Sequence, residues 1–185
     1  DTGITVSVEI RGLEVLCKVW KLTQFGNADI YLLDTDIPGN NDTWVTGQLY
    51  GWFGEERIAQ EIVLGIGGVR ALRALGKKID IYHFNEGHAL FAGFELMREK
   101  MEGKKMSFEK ALAACKKEIV FTTHTPIIQG NESHPIDRIL YMGANLNLTR
   151  EQLEFLGGGD PFNMTVGALR MSKMSNGVAQ LHGET

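Results

Sequence analysis

Residues 79–88 read Ile-Asp-Ile-Tyr-His-Phe-Asn-Glu-Gly-His, an apolar run that passes into a polar segment containing glycine. Residues 119–126 repeat this pattern, because the run Ile-Val-Phe is followed by Thr-Thr-His-Thr-Pro. Short apolar runs bounded by such residues are typical of buried strands. Segments with the apolar spacing of helices separate these runs. Strands that alternate with helices predict a parallel sheet with helices on both faces, which is an α/β fold.

In the first part of the chain, apolar and polar residues alternate as they do in half-buried strands. Residues 4–10 and 13–22 alternate apolar and polar positions on either side of Gly12, which predicts an antiparallel hairpin at an edge of the sheet. Residues 28–34 form a further apolar strand. The other predicted elements are helices over residues 55–75, 86–102, 107–117, 136–142, 151–155 and 164–174, and a strand over residues 177–182.

Composition limits the class of protein. The chain has 185 residues, of which 43% are hydrophobic and 23% charged, as expected for one globular domain. The net charge of -4 argues against nucleic acid as the main partner, and no apolar stretch approaches the roughly 20 residues that a membrane-spanning helix needs. Cys17 and Cys115 form no disulfide framework, so we expect reduced core cysteines in a cytoplasmic protein.

The glycines at 65–68, Gly-Ile-Gly-Gly, resemble part of a phosphate-binding loop. A dinucleotide-binding loop needs a third glycine where Arg70 stands, and it must open a helix, whereas these glycines lie inside one. We therefore expect them to serve close helix packing.

The polar residues after the two buried strands form the candidate site. Ligands of open parallel sheets bind beyond the carboxyl ends of the strands. Asn85 is suited to cap the following helix, which would place Glu86 and His88 in its first turn, and His124 ends the other strand. If the two strands are neighbours, Glu86, His88 and His124 converge on one crevice.

Simpler roles for these residues stay open. Glu86 could be a carboxylate favoured by the helix dipole, His88 a hydrogen-bonded histidine, and His83 a structural residue of the strand. A metal site of Glu86, His88 and His124 is disfavoured, because Glu-x-His is not the i, i+4 histidine pair of a zinc helix. The chain has no G-x-S-x-G elbow of a serine hydrolase. Histidine, carboxylate, amide and hydroxyl groups suit a polar small molecule such as a carbohydrate.

Several long motifs, taken together and in order, carry a family resemblance. They are "YLLDTD", "QEIVLGIGGVRALRALG", "HFNEGHALFAGFELMRE", "VFTTHTP", "PFNMTVGALRMS" and "NGVAQLHGE". From about Val6 to the last residue, the chain resembles the α-glucan phosphorylases of glycogen, starch or maltodextrin, in particular the shorter prokaryotic branch.

The resemblance implies a fold and a reaction. The implied fold is the glycosyltransferase B architecture, with a catalytic cleft between two Rossmann-like domains. The implied reaction is phosphorolysis, in which an α-1,4-glucan and phosphate give glucose 1-phosphate. The family's cofactor is pyridoxal phosphate, whose phosphate group is the acid/base partner of the substrate phosphate.

Site residues follow from the matching motifs. His124 matches the catalytic histidine that contacts the donor glucose. Glu86 and His88 match an acid and a histidine at the acceptor sugar, although Glu-Gly stands here where the family has Asp-Thr. We expect Asn85, Thr123 and Thr125 to bind substrate beside them. Residues 50–56, with Tyr50 and Trp52, match a mobile loop at the mouth of the cleft.

The resemblance also implies what the chain lacks. We expect residues 1–185 to be part of the N-terminal, glucan-binding domain, with the cofactor-binding C-terminal domain and the pyridoxal lysine outside it. Alone, this chain would neither hold the cofactor covalently nor turn over glucan. The expected partners are α-1,4-glucan and phosphate, and the question of a homo-oligomer is left open. The alternatives are a nucleotide-sugar-dependent glycogen or starch synthase and a glucan-binding module without catalysis.

Overall fold

The computed structural model describes residues 1–26, 28–49, 54–125 and 131–180. Three kinds of helix occur among them, since short 3-10 and π-helical turns join the α-helices. The strands are β1 Thr5–Ile10, β2 Leu13–Leu22, β3 Ile30–Asp34, β4 Tyr82–Asn85, β5 Ile119–Thr123, β6 Ser133–His134, β7 Phe162–Asn163 and β8 Met174–Gly177. The α-helices are α1 Glu55–Ile62, α2 Gly68–Ala74, α3 Phe91–Arg98, α4 Phe108–Lys116, α5 Ile136–Met142, α6 Arg150–Gly157 and α7 Met164–Met171.

The predicted hairpin is confirmed, but it is not at an edge of the parallel sheet. Strands β1, β2 and β3 form an antiparallel sheet of their own, in that order. Its alternating apolar residues, among them Val8, Ile10 and Val15, are buried. The apolar face of this sheet is covered by other elements, and α2 contributes to this cover by packing against β1.

The predicted parallel sheet is also confirmed, with strand order β4-β5-β8. Helices α4 and α7 pack against its central strand, β5. Two boundaries differ from the prediction: β4 begins only at Tyr82, and β8 covers Met174–Gly177 rather than residues 177–182. Residues 178–180 lie outside any strand, and residues 181–185 lie outside the described part of the chain.

One continuous helical segment runs from Glu55 to Ala74, as the apolar spacing predicts. A π-helical turn over Val63–Gly67 joins α1 to α2. A side-chain carbon added at Gly65 would lie 2.6 Å from the backbone nitrogen of Ala92, so α3 approaches this turn closely. The packing role predicted for the glycines is therefore confirmed at Gly65, whereas a carbon at Gly68 would meet nothing within 4 Å.

The helix predicted over residues 86–102 begins later than expected. A 3-10 turn occupies Gly87–Ala89, and α3 starts at Phe91. The reason is the backbone of Glu86, whose φ of 71° is incompatible with a right-handed helix. The turn leaves the residues after β4 beside the end of β5.

The buried apolar residues form one core cluster that spans both larger sheets. It includes Cys17 on β2 and Cys115 on α4, which are both free and buried. In the part of the chain that the structure describes, no helix is both long enough and apolar enough to cross a bilayer.

Candidate functional site

The candidate site lies where β4 and β5 end. The two strands pair in parallel, and Asn85 lies opposite Thr122. Because parallel strands end at the same edge of a sheet, the segments that follow them are neighbours. The two strands are thus neighbours, as the convergence of the predicted site residues requires.

Glu86 joins these two segments. Its Oε2 atom accepts hydrogen bonds from the His124 backbone N–H at 2.7 Å and from the Thr125 hydroxyl at 3.0 Å. Its Oε1 atom accepts one from the Gly87 N–H at 3.1 Å. The Glu86 N–H in turn donates to the Thr122 carbonyl oxygen at 2.9 Å. The carboxylate therefore fixes the backbone just after β5, at His124.

This arrangement corrects two expectations about the start of the helix. The residue that caps the 3-10 turn is Glu86, not Asn85, because Asn85 still belongs to β4. Glu86 consequently precedes the turn instead of lying inside it. A carboxylate offers about four lone-pair positions, and the protein uses three of those on Glu86, so about one is left for a ligand.

The other predicted substrate-binding residues surround this junction. His124 and Asn85 are exposed, and Thr123 and Thr125 are half-buried. The Thr123 hydroxyl accepts a hydrogen bond from the Thr125 N–H at 3.4 Å. The structure therefore brings Glu86, His124 and Thr125 into direct contact, with Asn85 and Thr123 beside them.

His88 belongs to a second group of charged residues. Its Nδ1 atom lies 3.0 Å from Oε2 of Glu132 and 3.1 Å from Nη2 of Arg57. It also lies 3.7 Å from Oε1 of Glu61. Glu61 in turn pairs through Oε2 with Nε2 of His134 at 2.8 Å. We call Arg57, Glu61, His88, Glu132 and His134 the ionic cluster.

The ionic cluster shifts the pKa of two of its members. The hydrogen bond to Glu132, and then the nearby carboxylate of Glu61, raise the pKa of His88 to about 9, although burial and Arg57 oppose the change. Burial would raise the pKa of Glu132, but the hydrogen bond from His88 and the charge of Arg57 outweigh it and lower the pKa to about 2. His88 is therefore a cation at neutral pH, and Glu132 is an anion.

A small cavity lies between the two groups. It has a volume of about 20 Å³ and is lined by Glu86, His88, Thr125 and Glu132, among others. That volume holds about one water molecule and excludes a sugar ring. A sugar at this site would therefore have to lie on the open side of the strand ends, where His124 is exposed.

A larger groove of about 780 Å³ runs along the other side of His88. Most of its walls are apolar, with Leu33, Leu49 and Leu64 as examples, and its polar lining residues include Arg57 and Glu61. Such walls do not match the many hydroxyl groups of a carbohydrate.

Four members of the ionic cluster were not predicted from the sequence: Arg57, Glu61, Glu132 and His134. A signal for Glu61 was present, because it interrupts the buried stretch of α1 between Ile58 and Ile62 and is itself only 1% exposed. A buried glutamate requires a partner, and that requirement points to a polar cluster.

The residues 50–53 of the predicted mobile loop, including Tyr50 and Trp52, lie outside the described residues. No residue of that segment is therefore placed relative to the site. Gly54 is the first described residue after it, and its φ of 85° sets the turn into α1.

Comparison with known proteins identifies the relatives of the chain. No family model matches it. It is 40% identical to the maltodextrin phosphorylase of Thermococcus litoralis over 98% of the chain, and 38% identical to the glycogen phosphorylase of Mycobacterium tuberculosis over 97%. It is 31% identical to the glycogen phosphorylase of Aquifex aeolicus over 96%.

The chain spans only part of the length of these relatives. It covers 22% of the Thermococcus protein, 23% of the Mycobacterium protein and 27% of the Aquifex protein. The matches nevertheless extend over nearly all of the chain itself, at 31–40% identity. By sequence, the chain is therefore similar over nearly its whole length to glycogen and maltodextrin phosphorylases, and it matches about a quarter of their length.

Proposed function

We propose that the chain forms part of the glucan-binding, N-terminal domain of an α-glucan phosphorylase with the glycosyltransferase B architecture. The proposed reaction of the whole protein is phosphorolysis of an α-1,4-glucan, which releases glucose 1-phosphate. The names of the relatives support this class of enzyme. We further propose a cytoplasmic enzyme and leave its oligomeric state to experiment.

One observation carries the proposal: the hydrogen bonds of Glu86 to the backbone of His124 and to Thr125. They tie the ends of β4 and β5 together at the edge where parallel sheets bind their ligands. A site that must hold a sugar in a fixed orientation needs such a rigid backbone, because small displacements of a reacting group lower the rate.

Each site residue has a proposed task. His124 contacts the donor glucose from the end of β5, and the Glu86 carboxylate keeps its backbone in place. The lone pair that remains on Glu86 accepts a hydrogen bond from a hydroxyl of the acceptor sugar. His88, charged through Glu132, holds a proton on its ring beside the same acceptor site. Asn85, Thr123 and Thr125 complete the polar surface.

Pyridoxal phosphate is the proposed cofactor of the whole protein. When bound, it supplies a phosphate group that exchanges protons with the substrate phosphate. The residues that line the small cavity beside Glu86 and His88 include no lysine. We therefore assign no residue of this chain to the cofactor, and the attachment lysine is proposed to lie elsewhere in the protein.

The reaction class is tested with the full-length gene product. Maltoheptaose and phosphate are supplied with pyridoxal phosphate, and glucose 1-phosphate is measured with a coupled assay. The proposal predicts glucose 1-phosphate formation that depends on both substrates. A parallel assay supplies a nucleotide sugar and a glucan primer. Chain extension from the nucleotide sugar, without glucose 1-phosphate formation, would identify a synthase instead.

The 185-residue chain alone is proposed to be inactive. Phosphorolysis by the purified chain with added pyridoxal phosphate, at a rate typical of an enzyme, would contradict this. Calorimetry with maltoheptaose shows separately whether the chain alone binds glucan. Binding by a full-length protein that releases no product would indicate a binding module.

A further inference from the structure

Three members of the ionic cluster offer ligand atoms for a metal ion. One oxygen each of Glu61 and Glu132 and one ring nitrogen of His134 lie within 4.8 Å of one another. Glu61 belongs to α1, whereas His134 belongs to β6, 73 positions further along the chain. The three groups therefore meet through the tertiary fold and not through a local turn.

A second observation points to a missing partner. The Oε1 atom of Glu61 is buried and has no hydrogen-bond partner among the described residues. The whole residue is 1% exposed, and the Nδ1 atom of His88 stays 3.7 Å away from this oxygen. A buried carboxylate oxygen without a hydrogen-bond partner destabilises the folded protein. A cation between Glu61 and Glu132 would give this oxygen a partner.

We propose that Glu61, Glu132 and His134 bind one divalent cation of the zinc class. Two carboxylates and an imidazole are ligands for Zn²⁺ and its first-row neighbours, whereas Mg²⁺ and Ca²⁺ prefer oxygen ligands alone. Three protein ligands leave a fourth coordination position for water.

Arg57 supplies the outer support that such a site requires. Its Nε atom donates to both oxygens of Glu132, to Oε1 at 3.0 Å and to Oε2 at 3.3 Å. These bonds orient the carboxylate. Partners of this kind fix the geometry of a ligand and raise metal affinity. The guanidinium also offsets part of the negative charge of the two carboxylates, so a single dication is enough for the cluster.

The proposed cation is structural, because it links α1 to β6. Helix α1 carries the buried face that packs against β1 and α5, and β6 pairs with β7. A cation between them would hold the segment beside the small cavity in place. It takes no part in the proposed phosphorolysis, so its presence and the enzyme activity are tested independently.

The test uses the full-length gene product after treatment with EDTA. Co²⁺ is titrated as a spectroscopic probe, because its visible absorption reports imidazole and carboxylate coordination, and Zn²⁺ is added during thermal unfolding. We expect one Co²⁺ per chain and a rise in the unfolding temperature with Zn²⁺. Glu132→Gln and His134→Gln should each weaken Co²⁺ binding by at least about tenfold.

His83→Gln is the matched control, because His83 is exposed on β4 and bonds to the Thr122 hydroxyl, outside the ionic cluster. It should bind Co²⁺ like the wild type. Glu132 is the milder of the two ligand changes, since its side chain is 25% exposed. Absence of Co²⁺ binding to the wild type, or binding that survives both ligand substitutions, would overturn the proposal.

Discussion

At the scale of single residues, Glu86 combines an unusual backbone with three hydrogen bonds. A non-glycine residue at a φ of 71° is strained, and the structure around it must hold it there. The bonds to Gly87, His124 and Thr125 provide this support. The strain is thus located at the point where the two strand ends are joined, beside the residues proposed to contact sugar.

Replacing Glu86 tests this junction. Glu86→Ala removes all three bonds and should lower the free energy of unfolding by about 2 kcal/mol, since hydrogen bonds to a charged group contribute about 1.5–3 kcal/mol. Glu86→Gln keeps one acceptor oxygen and should cost less. Urea unfolding of the two variants gives the comparison. Equal stability of both variants and the wild type would show that the junction does not hold the strand ends.

The residue types at this site were readable from the sequence, but their geometry was not. The positions of Glu86 and His124 after two apolar runs indicated one edge of a sheet. The left-handed backbone of Glu86 was not predictable, because it depends on partners in the segment that follows β5. His88 was expected beside His124, but its ring contacts Glu132 and Arg57 instead. Contacts between residues so far apart in the chain cannot be recognised from the periodicity of the sequence.

At the scale of elements, the contact between the α1–α2 helical segment and α3 fixes the position of the site. Gly65 allows the backbone of α3 to approach, and α3 follows directly from the turn that contains His88. A second link comes from Glu95, which bonds to Arg70 of α2 and to Arg98 of its own helix. Helix packing and charge pairing therefore hold the same interface.

Two glycine substitutions compare crowded and open positions of this segment. Gly65→Ala would place a carbon 2.6 Å from the Ala92 nitrogen, a backbone atom that cannot move freely, and should destabilise the protein by about 1–3 kcal/mol. Gly68→Ala meets nothing within 4 Å and should stabilise it by up to about 1 kcal/mol. Thermal unfolding measures both, and similar losses in the two variants would contradict the close approach.

The charge pairing of Glu95 predicts a dependence on pH. Burial raises the pKa of Glu95, but the bonds from Arg98 and Arg70 outweigh burial and leave its pKa below the ordinary value. The folded pKa is thus lower than the unfolded one, which is about 4.3 for glutamate. Glu95 therefore stabilises the fold above that pH, and the contribution is lost as the pH falls through the folded pKa.

Unfolding in urea between neutral pH and about pH 3 measures this loss. The wild type should lose stability more steeply than Glu95→Gln, because the variant has no group to protonate at this position. Glu14→Gln, an exposed position of β2, is the control for a general change in charge. Parallel curves for the wild type and Glu95→Gln would show that the pairing adds no stability.

At the scale of the whole molecule, one core joins two sheets of different type. The apolar periodicity predicted the strands, the helices and the parallel sheet, because it reflects which side of each element is buried. The periodicity did not predict that β1–β3 form a sheet of their own. The same alternation of apolar and polar residues is expected for a strand at the edge of the parallel sheet. Which sheet a strand joins is decided by contacts between distant parts of the chain.

The reactivity of the two buried cysteines tests whether this shared core unfolds as one unit. Burial raises the pKa of Cys17 to about 12 and that of Cys115 to about 11, so neither thiol forms a thiolate near neutral pH. Since both belong to one core cluster, they should react with a thiol reagent only after unfolding and at the same urea concentration. Labelling of Cys17→Ser and Cys115→Ser variants separates the two sites. Earlier reaction of one thiol would show that the two sheets unfold independently.

The central claim is that the strand end carrying His124 is the sugar-binding part of a phosphorylase. The measurement that tests it most directly is the initial rate of glucose 1-phosphate formation by the full-length gene product, compared with His124→Ala and with His83→Ala as control. We predict that His124→Ala lowers the rate on the order of a hundredfold with little change in unfolding temperature, while His83→Ala stays near the wild type. Wild-type rates in His124→Ala would contradict the account.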